Sequence, residues 1–204
     1  PLDYLMDSLP FQEVVRVGLH GSADCAAVSW TLFTLSIAEW SLLAFAGMLA
    51  GRLDRHGDAA RWFTMVLRGA PEDRATRTNL VRSLTLAGDF DQARQWLDQP
   101  SSHALARLGG YVFHQLGERD QALVWYRRAV DLESADFESW NNIGNILGEL
   151  NDVDQAVTAY ERAITLRREL PEPYLNLAAL LGRHERHEAR LRVARDAATI
   201  APGS

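Results

Sequence analysis

The chain has 204 residues, with 21 basic side chains against 27 acidic ones and a formal net charge of -6. Its hydrophobic content of 47% and charged content of 24% allow a sizeable core and exclude wholesale disorder. The acidic excess falls on both halves, so neither offers a basic face that could release counterions from a phosphate backbone, and no nucleic-acid partner is expected.

All of the basic residues are arginine. Any cationic contact is therefore a planar, permanently charged fork, and lysine-dependent Schiff-base or Walker-loop chemistry is excluded. The single cysteine, Cys25, has no internal partner, which suits a reducing compartment and a cytoplasmic location. It lies in an apolar run and reads as a packing residue rather than a nucleophile. Pro1 to Pro10 is mixed and acidic, unlike a cleavable leader. The start at Pro1 and the end Pro202-Gly203-Ser204 read as the edges of an excerpt.

In chain order, residues 1–39 form an N-terminal helical segment or degenerate repeat, with helices expected over 11–20 and 23–39, parted by His20-Gly21-Ser22. Cys25 to Ala38 and Trp40 to Gly51 carry no charge, and only Glu39 interrupts them. About 20 apolar residues suffice to cross a bilayer. A central Glu would cost about 2–3 kcal/mol there, and Ser29, Thr31, Thr34, Ser36 and Ser41 dilute the stretch. No membrane span is expected; the apolar stretch reads as a hairpin buried on both sides, or as a self-association surface.

From residue 40 the sequence repeats. Leu43-x-x-Ala46-Gly47-x-x-Ala50 is followed by Ala59-x-x-x-Phe63, and Leu80-Val81-x-x-Leu84 by Ala93-x-x-x-Leu97. Next come Ala106-x-x-Gly109-Gly110-x-x-Phe113 with Ala122-x-x-x-Tyr126, and Trp140-x-x-Ile143-Gly144-x-x-Leu147 with Ala156-x-x-x-Tyr160. The last copy is Tyr174-x-x-Leu177-Ala178-x-x-Leu181 with Ala194 and Ala197. The offset is 34 residues from Ala59 to Ala93 and from Trp140 to Tyr174, but 29 from Ala93 to Ala122. That loss falls in the second helix of its unit, which Asp98-Gln99-Pro100 stops early. Units are expected at 40–73, 74–102, 103–136, 137–170 and 171–204.

Apolar residues at helical spacing give each unit two amphipathic helices. The Gly or Ala of the first helix lets the second approach, with the small Ala of the second helix set against it and the aromatic filling the next layer. Asp89, Asp120 and Asn151 stand where the second helix needs a cap. Arg190 replaces the expected alanine, with Ala189 one place early, which predicts a slipped turn in the last unit. One hairpin cannot bury its own apolar face, so neighbours must stack. The pattern resembles the tetratricopeptide repeat family over residues 40–204. The resemblance implies an all-α, right-handed superhelix (an α-solenoid) of about five helix-turn-helix repeats, whose first helices line a concave groove.

Catalytic motifs do not emerge. His184-Glu185-Arg186-His187-Glu188 has Glu188 where a metalloprotease helix needs its second histidine, and no metal or other cofactor is expected. What remains is a binding surface without chemistry of its own. Carried over by position, the groove should include Asn79, Arg82, Arg107, Tyr111, His114, Asn141, Asn142, Asn145 and Asn176. Asn79, Asn142 and Asn176 occupy one place in their units. Trp140-Asn141-Asn142-Ile143-Gly144-Asn145 and Tyr174-Leu175-Asn176-Leu177 look like the asparagine ladder in the repeats of protein O-GlcNAc transferases. A carboxamide offers a donor and an acceptor, so a row of them can clasp the backbone of a bound strand. Arg82 and Arg107 would add forked contacts to a partner's carboxylates. The expected partner is a protein or peptide segment. Alternative readings are the substrate-recruiting arm of a larger bacterial glycosyltransferase or sulfotransferase, and a self-assembling scaffold.

Overall fold

The computed structural model describes residues 31–32 and 35–200. The helix expected over 11–20, most of that over 23–39, and Cys25 lie outside them. The chain divides into two compact units, 1–87 and 88–204.

In the first unit, β1 (Thr31–Leu32) pairs antiparallel with β2 (Leu35–Ser36), Thr31 opposite Ser36 and Leu32 opposite Leu35. This ribbon replaces the helix expected there. Thr31 is β-branched, and Ser36 competes with the helical backbone for its hydrogen bonds, so both weaken a helix at that point. Three helices follow: α1 (Ile37–Arg52), α2 (His56–Gly69) and α3 (Arg74–Leu86). Helix α2 packs on both α1 and α3.

The second unit holds α4 (Phe90–Gln95), α5 (His103–Gln115), α6 (Arg119–Leu132), α7 (Phe137–Glu149), α8 (Val153–Leu166), α9 (Pro171–Arg183) and α10 (His187–Ile200). Helix α4 has 6 residues where α6, α8 and α10 have 14. The pairs α5/α6, α7/α8 and α9/α10 form hairpins, and each trailing helix also packs on the next leading helix. Apart from the short ribbon, the described residues are all-α, an α-solenoid of stacked hairpins.

The close approach within a hairpin is made by a ring over a glycine. A Cβ built on Gly144 would lie 2.8 Å from Tyr160, one on Gly110 2.7 Å from Tyr126, and one on Gly47 2.8 Å from Phe63. The aromatic itself, and not the small alanine, fills the space that the glycine leaves. The alanines Ala59, Ala93, Ala122 and Ala156 are fully buried, at the same place in their helices. In α9/α10 the pair is Ala178 and Ala194, small on both sides, and only Ala197 of α10 is buried.

Each turn from a leading to a trailing helix contains one left-handed residue: Asp54, Gly88, Gly117, Asn151 and Glu185. Their spacings of 34, 29, 34 and 34 reproduce the repeat, shortened unit included. The last turn is therefore in register, and the predicted slip is absent. Arg190 takes the alanine's place by laying its aliphatic stem along Gly182, 3.2 Å from where a Cβ would stand. One expected cap moves by one residue, and α6, expected to be capped by Asp120, has no side-chain cap at its N-cap residue Glu118. Asp89 caps α4 through the Gln92 N–H, but Asn151 supplies the left-handed turn, and Asp152 caps α8 by accepting from the Gln155 N–H. Asp120 lies inside the first turn of α6, where an acidic side chain meets the positive end of the helix dipole.

Candidate peptide-binding face

In the second unit, α5, α7 and α9 are the leading helices. Arg107, Tyr111 and His114 recur at helical spacing on α5, Asn141, Asn145 and Glu149 on α7, and Glu172 and Asn176 on α9. These rows are stitched to one another. Asn176 Nδ2 donates to Asn141 Oδ1 at 3.1 Å, and Asn141 Nδ2 donates to Glu172 Oε1 at 3.0 Å. Asn141 is consequently buried, at 4% exposure. Asn145 is fixed from within its own hairpin: its Oδ1 accepts from the Tyr160 hydroxyl at 2.7 Å. That hydroxyl is pushed up to about 12 by burial, so it stays a donor at any ordinary pH. Asn142 is half-buried and makes no side-chain hydrogen bond among the described residues.

Between α5 and α7 the stitching is ionic. Arg107 pairs with Glu138 and lies 3.5 Å from Asp136. His103 places Nε2 2.8 Å from Asp136 and Nδ1 3.0 Å from Glu133. His114 Nε2 is 3.2 Å from Glu149, which also accepts from Arg119 Nε at 2.6 Å. Burial alone would raise the Asp136 carboxyl, but the Ser139 hydroxyl and N–H, His103 and the Arg107 charge together hold it below its ordinary value. Glu149 is likewise lowered: Arg119 and His114 outweigh its desolvation.

The guanidinium of Arg107 is thus taken up by carboxylates of this chain. Tyr111 stays half-exposed and meets Phe90 edge-on, with ring centroids 6.0 Å apart. The other two expected residues belong to the first unit. Asn79 is half-buried and Arg82 exposed, and both line a concavity between α1, α2 and α3. The carboxylates Asp136, Glu138, Glu149 and Glu172, the His103 imidazole and the Arg119 guanidinium are the part of this face that sequence reasoning missed. Glu138 and Glu172 stand 34 residues apart, one place in two units, and that equivalence was the available signal. Among the described residues no group of three or more His, Cys, Asp or Glu is placed to hold a metal ion, and no helix is long and apolar enough to cross a membrane.

Stacked helical hairpins with a polar row along their leading helices define a repeat scaffold of the interaction class. The family model for TPR repeats matches residues 110–151 and 144–184, so the hairpins there are tetratricopeptide repeats. Among solved structures, the fold is similar to MamA from Desulfovibrio magneticus RS-1 (TM-score 0.76, 16% identity, 81% of this chain and 97% of that one). It is also similar to YrrB, described as a TPR protein with an unusual peptide-binding site (TM-score 0.70, 16% identity, 79% of this chain and 86% of that one).

A second family meets the other end. The model for disulfide bond formation protein DsbB matches residues 1–53. Disulfide bond formation protein B 1 of Pseudomonas aeruginosa (strain PAO1) is 75% identical over 48 residues, 24% of this chain and 29% of that protein. The Stutzerimonas stutzeri (strain A1501) protein is 62% identical over 47 residues, 23% of this chain and 29% of its own length. The chain thus spans less than a third of the curated relatives it matches. The matched segment contains Cys25 and runs through α1, the same helix that packs on α2 as the first of the hairpins. The uncharged runs on either side of Glu39 were its visible trace in the sequence.

Proposed function

We propose that the leading-helix face of α5, α7 and α9 binds an extended segment of a protein partner and performs no chemistry on it. The observation that carries this reading is the chain of bonds from Asn176 through Asn141 to Glu172. It fixes carboxamides of two successive hairpins in one orientation before any partner arrives, which lowers the ordering cost of binding. Asn142, the amide donors of Asn145 and the remaining acceptor capacity of Asn176 are left to meet a peptide backbone, much as in the asparagine ladder this row resembles. The test is capture of lysate partners by wild type and by the double variant Asn142→Ala, Asn176→Ala, with helicity monitored. Loss of captured partners with folding intact supports the ladder, and equal capture removes it.

The match over residues 1–53 favours a second reading, in which the array brings a protein to a disulfide-forming partner. This chain has one cysteine, so any exchange through it requires a second chain: the Cys25 thiolate attacks a partner disulfide, forms a mixed disulfide and releases the partner's other sulfur as thiolate. Non-reducing gels of wild type against Cys25→Ser, after rapid alkylation, test it. A Cys25-dependent adduct supports this reading, and its absence leaves binding alone.

A further inference from the structure

A concavity of about 350 Å³ opens between α1, α2 and α3, wholly within the first unit. Phe45 and Met48 of α1, Phe63 of α2 and Leu86 of α3 give it apolar walls, to which Asn79 and Arg82 of α3 add polar groups. Met48 and Leu86 are 42% and 59% exposed, so among the described residues the apolar surface is open. Its charged lining is arginine, with the Asp54 carboxylate 3.7 Å from His56 at the rim. Arg52 adds a second guanidinium to the lining, and among the described residues that line it there is no carboxylate. Arg82 is exposed and makes no ion pair or hydrogen bond among the described residues, whereas Arg55 and Arg61 are both engaged by Asp58. Residues 37–87 hold seven arginines against five carboxylates, a positive stretch in a chain of net charge -6.

An apolar cavity beside an uncommitted planar fork is complementary to an apolar side chain next to a carboxylate. We propose that this cavity binds a short protein segment of that composition, its apolar side chain against Phe45, Met48, Phe63 and Leu86 and its carboxylate on Arg82. The Asn79 carboxamide is placed to bond the segment's backbone. The inference rests on reading the array as a peptide binder. It uses none of the second unit's residues, so the two fail separately.

The experiment is fluorescence anisotropy of the full chain with a labelled decapeptide, Gly-Ser-Asp-Asp-Leu-Phe-Asp-Asp-Ser-Gly. Two control peptides replace every Asp by Asn, or Leu-Phe by Gly-Gly. The acidic apolar peptide should bind roughly tenfold or more tightly than either control, as expected for one charge-assisted contact or one seated side chain. Arg82→Gln should abolish the preference for Asp over Asn with helicity unchanged, and the Asn142→Ala, Asn176→Ala variant should leave it intact. Equal affinity for all three peptides overturns the proposal, and this outcome needs no variant to fold. So does an acidic preference that survives Arg82→Gln, or one lost in the asparagine double variant. A concentration-dependent dimer that Arg82→Gln dissolves, with no peptide bound, would assign the cavity to a second copy of this chain and overturn it too.

Discussion

Asn176 hands its side-chain N–H to Asn141 across successive leading helices, at 3.1 Å, and Asn141 passes its own to Glu172. The pair joins residues 35 positions apart, one more than the repeat, so the bond runs diagonally between neighbouring hairpins. Because Asn141 is buried, its replacement by Ala strands Asn176 and leaves a small void. Asn141→Ala should cost about 1–2 kcal/mol of unfolding free energy in urea titrations. Asn142→Ala, which breaks no bond, should stay within about 0.5 kcal/mol. A double-mutant cycle on Asn141 and Asn176 should return a coupling of about 0.5–1 kcal/mol, and a coupling of zero would remove the bond from the account.

Tyr160 over Gly144 makes the opposite demand, for the absence of atoms. A methyl at Gly144 would press on the ring from 2.8 Å. Gly144→Ala therefore combines a helix-propensity gain of about 1 kcal/mol with overpacking of about 1–3 kcal/mol, and the melting temperature should fall. Gly144→Val should fall much further. Gly57, with nothing within 4 Å of its missing Cβ, is the control; Gly57→Ala should leave stability equal or raise it by up to about 1 kcal/mol.

These contacts mark how far the sequence could be read. Trp140-x-x-Ile143-Gly144 and Ala156-x-x-x-Tyr160 set the period, the hairpin and its tight crossing, because each is a local steric requirement written in residue size. The polar face was legible as a list of positions but not as a set of bonds. Nothing in Arg107 or His114 announces that Glu138 and Glu149, some 30 residues away, will meet them once the hairpins stack. The N-terminal residues were read through hydrophobicity alone, which a buried hairpin and a segment shared with another family satisfy equally well.

The ionic stitching between α5 and α7 should make the second unit acid-sensitive. Asp136 and Glu149 have folded values below their ordinary 3.8 and 4.5. A carboxylate lowered on folding adds stability that is fully present above its unfolded value and is lost as pH falls through the folded one. Unfolding free energy should thus decline from about pH 5 toward pH 2. Asp136→Asn retains an oxygen to accept from the Ser139 N–H but loses its charge toward His103 and Arg107. Its pH profile should be flatter and its stability at neutral pH lower. A profile parallel to wild type would show that Asp136 carries no linkage.

The turn before α8 separates two roles that adjacent residues share. Asn151 sits at φ 64°, a conformation that Gly adopts freely and Asn tolerates, while a β-branched residue is strained there. Asn151→Gly should therefore be neutral or slightly stabilising, and Asn151→Val should cost about 1–2 kcal/mol. Asp152 bonds the Gln155 N–H at 3.3 Å and its side-chain amide at 2.5 Å, so Asp152→Ala should cost about 1 kcal/mol through the lost cap. Asp152→Asn, which keeps the accepting oxygen, should recover most of that loss. Thermal melts of the four variants decide the assignment: if Asn151→Gly rather than Asp152→Ala showed the capping loss, Asn151 would be the cap after all.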